Sequence, residues 1–164
     1  MIESVSLETI HEYLGITLVY SVKGKVKVRM YDYVEKMIQT SPQKLKNIYM
    51  AIIPASNNIF ENGNVKPLGI SKSDHFHKMV AKDMFLSHRA RPNINPMIYV
   101  LANRVRFPNI IDWNKLLRVL KYLNGKRKYH LTLSIYDMRV IKWYVDASFA
   151  VHPSFNSHTG GIIM

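Results

Sequence analysis

The spacing of apolar positions changes period twice along the chain. From Tyr13 to Val19 (YLGITLV) aromatic and branched residues run together, which predicts a strand. Lys23-Gly24-Lys25 supplies a turn. Val26, Val28 and Met30 then alternate with Lys25, Lys27 and Arg29. Period two puts the apolar side chains on one face and the cations on the other, so the spacing predicts a β-hairpin with one basic face. Such a face is either a solvated edge guarded by lysines or a surface lying against a phosphate backbone. The pattern alone leaves both open.

Helical spacing follows. Asp32 and Glu35 have the offset of a capping box, opening a helix to about Ile38 with Val34, Met37 and Ile38 on its apolar face. Thr40-Ser41-Pro42 stops it. Residues 43–72 carry Pro54, Pro67 and the polar clusters Asn57-Asn58 and Glu61–Asn64, which predict an extended linker with a short helical turn around Lys44–Met50. Three helices are expected next. The first covers Asp74–Ser87, capped by Ser73 or Asp74, with Phe76, Met79, Val80, Asp83 and Met84 at helical spacings and Phe76, Val80, Met84 and Phe85 facing the core. The second starts after Asn93 and runs to about Arg106, with Ile94, Ile98, Leu101, Ala102 and Val105 on one stripe. The third covers Ile111–Asn124 with Gly125 as its C-cap. Its apolar stripe is Trp113, Leu116, Leu117, Leu120 and Leu123. Lys115, Arg118 and Lys121 form a second stripe, continued by Lys126, Arg127 and Lys128. Cations at a helix C-terminus are favourable in themselves, so part of this cluster requires no partner.

After Lys128 the period returns to two. Leu131, Leu133 and Ile135 predict a strand, Tyr136–Arg139 a turn, Val140–Ala150 a second strand and Gly161–Met164 the opening of a third. The class is α+β: an N-terminal β-hairpin, a central three-to-four-helix region and C-terminal antiparallel strands. The linker and the changes of period divide it at 1–72, 73–128 and 129–164.

Composition narrows the function. A chain of 164 residues with 48% hydrophobic and 21% charged content is globular and makes one domain or two small ones. The net charge of +12 is high for this length and serves either solubility and a solvated face or a polyanionic partner, nucleic acid before a membrane surface. There is no cysteine, which removes disulfides and thiolate metal sites. No apolar run approaches the ~20 residues of a membrane span, and the first residues do not form a signal peptide. An intracellular protein, cytoplasmic or nuclear, is expected.

Several chemistries lack their residues. There is no Gly-rich phosphate loop, no HExxH and no nucleophile elbow, and no two acidic residues are adjacent. His75 and His77 stand two apart on a predicted helix and diverge. His152 and His158 flank the turn after Asp146. Asp146 follows Trp143-Tyr144-Val145 on a predicted strand. A carboxylate there is solvated at the strand end, or is paired, or binds a cation. Two-metal phosphoryl chemistry needs several carboxylates around ions ~4 Å apart, and one does not make that site.

The string Trp143-Tyr144-Val145-Asp146-Ala147-Ser148-Phe149-Ala150, with His152-Pro153 and Ser157-His158-Thr159-Gly160-Gly161, resembles the start of the RNase H domain in copia-type retrotransposon polyproteins. Upstream, Tyr13-Leu14-Gly15 resembles the primer-grip hairpin of the reverse transcriptase. Tyr33-Val34 resembles the start of its thumb, and Pro54-Ala55 with Phe60 the spacer that follows. Phe76-His77, Arg91-Pro92-Asn93-Ile94, Asp112-Trp113 with Leu116, and Arg118–Gly125 resemble the connecting helices. The resemblance covers about residues 10–164. It departs at Asn93, where the family usually has Asp, and at Asp32, near a usual Gln.

The resemblance implies that Asp146 matches the first metal-binding carboxylate of an RNase H-like sheet, here truncated, with Mg²⁺ as the ion of the parent enzyme. The polymerase aspartates would lie upstream of residue 1 and the other RNase H carboxylates past Met164. The implied protein is therefore a polyprotein fragment, non-catalytic alone. Its implied partners are the backbone of an RNA–DNA or DNA duplex and the rest of the polyprotein. Lys25, Lys27, Arg29, Arg118, Lys121, Lys126 and Arg127 are the candidate phosphate contacts. The alternatives are a small basic nucleic-acid-binding protein without enzymatic activity, and a nuclease completed by another chain that supplies the missing carboxylates.

Overall fold

A computed structural model of the chain describes residues 9–41, 50–61, 63, 65–134, 139–149 and 157–163. Three strands open it: β1 (Ile10–Tyr13), β2 (Ile16–Val22) and β3 (Lys25–Arg29). Leu14 and Gly15, at φ 49° and 76°, make the first tight turn, and Gly24, at φ 75°, makes the second. These left-handed conformations are ones glycine adopts at little cost. The β2–β3 hairpin pairs Thr17 with Arg29, Leu18 with Val28 and Val19 with Lys27, and shifts register between Val19 and Val22.

The sheet gains a fourth strand from far along the chain. β4 (Leu131–Ser134) lies antiparallel to β3, with Leu131 opposite Val28 and Leu133 opposite Val26, giving the order β1-β2-β3-β4. The sequence expectation grouped this strand with the C-terminal antiparallel strands instead. Those form a separate two-stranded ribbon, β5 (Trp143–Ser148) with β6 (His158–Ile163). The physical reason lies in what precedes β4. Lys126–His130 returns the chain beside the end of β3, where the Tyr31 hydroxyl meets His130 Nδ1 at 3.2 Å. Leu131 then extends the apolar face already made by Leu18 and Val28.

Four α-helices share a core with that face: α1 (Tyr31–Gln39), α2 (Ile70–Arg89), α3 (Asn95–Ala102, after a 3₁₀ turn at Pro92–Ile94) and α4 (Ile110–Gly125). The class is α+β, as the hydrophobic periods predicted. The core joins Val34, Met37 and Ile38 of α1, Phe76, Met79, Val80 and Leu86 of α2, Ile98 and Leu101 of α3, and Trp113, Leu116, Leu120 and Leu123 of α4. Met84 and Phe85 pack against this core while remaining partly exposed.

Helix boundaries differ from expectation where side-chain caps were assumed. α1 begins after Met30 with no side-chain cap, so Asp32 and Glu35 form no capping box. α2 begins after Gly69, one turn before Ser73, because its first turn is polar and Ile70 is exposed. α3 stops at Ala102 instead of Arg106. The capping box belongs to α4. The Asn109 side chain accepts from Ile111 and Asp112 backbone N–H groups, and Asp112 Oδ2 accepts from the Asn109 N–H at 3.0 Å. Gly125 is the last residue of α4 and not its cap. A Cβ there would lie 2.8 Å from the Met50 sulfur, so close approach is the reason for a glycine.

The linker before α2 has no helix or strand among its described residues beyond a single bridge from Pro67 to Asn109. It is nonetheless fastened to α4, as described below. The expected turns at Lys44–Met50 and Tyr136–Arg139 fall largely outside the described residues. Among the described residues no helix is long and apolar enough to cross a membrane.

Candidate nucleic-acid interface

The β3 cations share one sheet face. Side chains alternate along a strand, so Lys25, Lys27 and Arg29 point away from the face that carries Val26 and Val28. Their cross-strand neighbours are Ser134 and Thr132 on β4, and Val19 and Thr17 on β2. The face is partly covered: Val19, beside Lys27, is buried, and Arg29 shares a pocket with Glu12 of β1 and with Asp32 and Lys36 of α1. Lys25 is exposed, and Lys27 and Arg29 are half-buried.

The row continues through aromatic rings to the end of α4. The Arg29 guanidinium lies 5.7 Å from the centre of the Tyr31 ring. Tyr31 bonds His130. The neighbouring Tyr129 ring takes Lys126 Nζ at 5.0 Å and the Arg91 guanidinium at 5.5 Å. Arg91 is buried, donates to the Lys126 carbonyl, and leaves its Nε and Nη1 unpartnered. Burial draws its pKa below the ordinary guanidinium value. Arg127 is held by Glu35 Oε2 at 2.5 Å and by Asn124. Arg29, Lys126 and Arg127 therefore belong to one neighbourhood. Arg91, Tyr31 and Tyr129 complete it and were not singled out from the sequence. Their signal was a cation–aromatic alternation, Tyr31 after Arg29 and Tyr129 after Lys128, split across 100 residues of chain.

Arg118 and Lys121 lie elsewhere. They face the linker across a cleft of about 800 Å³. Lys115 Nζ donates to the Ile59 and Glu61 carbonyls at 2.9 and 2.7 Å, and Arg118 Nε donates to the Ala55 carbonyl at 3.2 Å. Burial lowers the Lys115 pKa from the ordinary lysine value. The second cationic stripe of α4 is thus the strap that holds the linker, with Lys121 half-buried at its end.

Asp146 sits on β5 opposite Gly160 and is exposed. Among the described residues no three His, Asp or Glu side chains gather into a metal-binding group. A Mg²⁺ ion demands near-octahedral oxygen ligation, and catalytic two-metal sites need several carboxylates. The described residues do not fit a Mg²⁺ centre, and no hydrolytic step is assigned to them. His75 turns toward Trp113, with ring centres 6.5 Å apart, and His77 is exposed. His152 lies outside the described residues.

The ribbon around Asp146 has an apolar face. Trp143 pairs with Ile163, Val145 with Gly161 and Ala147 with Thr159, all on one side. Trp143 is 69% exposed, Val145 64% and Ile163 62%.

Fold and surface together define a basic α+β protein with three cations in a row on one sheet face. The chain is 24% identical over 163 residues to a putative transposon Ty5-1 protein of Saccharomyces cerevisiae, an alignment covering 96% of this chain and 50% of that protein. The chain thus spans about half the length of the curated relative it matches, and the similarity points to a retrotransposon-derived protein. No family model matches the chain, and no solved structure does.

Proposed function

We propose that this chain is a piece of a copia-type retrotransposon polyprotein that contacts the backbone of an RNA–DNA or DNA duplex and is not catalytic alone. The observation that carries the binding role is the row Lys25, Lys27 and Arg29 on one sheet face, exposed at Lys25 and continued by Lys126. Phosphates are recognised by such rows without reading bases, and each contact releases counterions. On this reading residues 1–72 are the primer-grip hairpin, thumb start and linker of the reverse transcriptase. Residues 73–128 are its connecting helices, and 129–164 open the RNase H domain.

Two observations support the fragment reading. The transposon relative is about twice as long as the aligned stretch. The Trp143–Val145–Ile163 face of the ribbon is apolar and exposed, and a two-stranded ribbon is marginal in water without a covering layer. Asp146 would be the first carboxylate of a Mg²⁺ site completed by residues of the longer polyprotein. The protein would act inside the cell.

The test is binding and cleavage of a labelled RNA–DNA hybrid with Mg²⁺ present. Binding without cleavage is expected. Cleavage by the chain alone, abolished by Asp146→Asn, would overturn the non-catalytic part. Absence of binding at low salt would overturn the duplex-binding role. A second reading, a stand-alone basic nucleic-acid-binding protein, draws on the same row, which uses this chain's residues alone. Genomic flanks that encode the missing acidic motifs in frame favour the polyprotein, and flanks without them favour the second reading.

A further inference from the structure

The cleft between α4 and the linker has a character different from the sheet face. Its lining includes Lys115, Arg118 and Lys121 of α4 and the aliphatic residues Ile52, Ile53 and Ile111. Ile52 is 76% exposed and Ile53 51%. Aliphatic surface beside cations rewards an occupant that buries apolar area and brings negative charge at once. A phosphate backbone supplies only the charge. Bases would need rings to stack on, and none of the described lining residues is aromatic.

The cationic lining also has a spacing. Lys115 is committed to two linker carbonyls, so it fixes the cleft and does not reach outward. Arg118 gives its Nε to the Ala55 carbonyl and only the rest of its guanidinium remains for an occupant; it and Lys121 stand three residues apart on α4, about 4.5 Å along its axis. Acidic side chains at i and i+3 or i+4 of a second helix have a similar rise, and aliphatic side chains beside them would meet Ile52 and Ile53. Glu61, the one carboxylate of the lining, accepts from Asn58 Nδ2 at 3.1 Å.

We propose that this cleft docks an acidic, aliphatic helical segment of a partner protein. The site is separate from the duplex-binding face and does not depend on it. The test is a selection of displayed random peptides of ~16 residues, about four helical turns, against the full chain. A synthetic copy of an enriched peptide is then titrated. Enriched sequences are expected to combine Leu or Ile with Asp or Glu. Lys121→Glu, and Ile52→Ser with Ile53→Ser, are expected to weaken the peptide at least about tenfold. The isoleucine variant should leave duplex affinity unchanged. Enrichment of basic or uncharged sequences, no enrichment, or insensitivity to these substitutions overturns the proposal. So does displacement of the peptide by a single-stranded oligonucleotide through the same isoleucines, which would reassign the cleft to nucleic acid.

Discussion

Arg127 and Glu35, separated by 92 residues, meet at 2.5 Å and tie the end of α4 to α1. Both side chains are more than a third exposed, so solvent screens the pair and its share of stability is at most about 1 kcal/mol. Its larger effect is on function, because Glu35 neutralises a cation next to the proposed phosphate path. Glu35→Gln should therefore raise duplex affinity a few-fold, by about 0.5–1 kcal/mol, with little change in melting temperature. Anisotropy titrations and thermal melts of the two proteins check this together.

Asp83 is fully buried in α2 and both its carboxylate oxygens lack a partner. Burial pushes its pKa from the ordinary 3.8 up to about 8. The neutral form is the one the core accepts. The folded state thus holds this proton more tightly than the unfolded state, and stability falls as pH rises between 3.8 and about 8. Asp83→Leu removes the group. The variant should gain stability relative to the native chain as pH rises from 5 toward 8, by about 1.4 kcal/mol per pH unit at most. Urea unfolding at several pH values measures the difference, and parallel curves would exclude the effect.

Lys115 closes the linker onto α4 through the Ile59 and Glu61 carbonyls. Lys115→Met keeps the aliphatic stem and removes both donors, leaving carbonyls without their partner. A loss of about 1–3 kcal/mol is expected, with faster protease cleavage between residues 50 and 61. Cleavage at the native rate would show that the linker is held by other contacts.

The strap on α4 also marks the limit of what the sequence made legible. Apolar stripes at helical period identified the buried faces of α1 and α4, because burial of Leu116, Leu120 and Leu123 is a property of side chains alone, but only part of those of α2 and α3, where Leu86, Met97 and Val100 are buried outside the expected stripes. The hairpin was legible for the same reason, from the alternation of Val26 and Val28 with Lys25 and Lys27. Lys115 read as part of a cationic stripe because its partners are backbone carbonyls, which leave no trace in residue identity. The pairing of β4 with β3 was hidden too. It joins residues about 100 positions apart, and the apolar pattern of Leu131 and Leu133 fits any sheet edge. Asp83 was visible at a helical spacing within an apolar stripe, but its isolation depends on what surrounds it. Of the candidate site, Lys25, Lys27 and Arg29 share one face as the period required. Lys126 and Arg127 join their neighbourhood, while Arg118 and Lys121 line a different cleft.

The central claim is that the β3 row meets phosphates. Its most direct test is the salt dependence of duplex affinity for the native chain and for the double variant Lys25→Gln with Lys27→Gln. Each lost phosphate contact lowers the slope of log K against log salt by about 0.9. The variant should therefore bind more weakly at low salt and show a slope smaller in magnitude by about 1.8. An unchanged slope, or no duplex binding by the native chain at about 50 mM salt, would contradict the account.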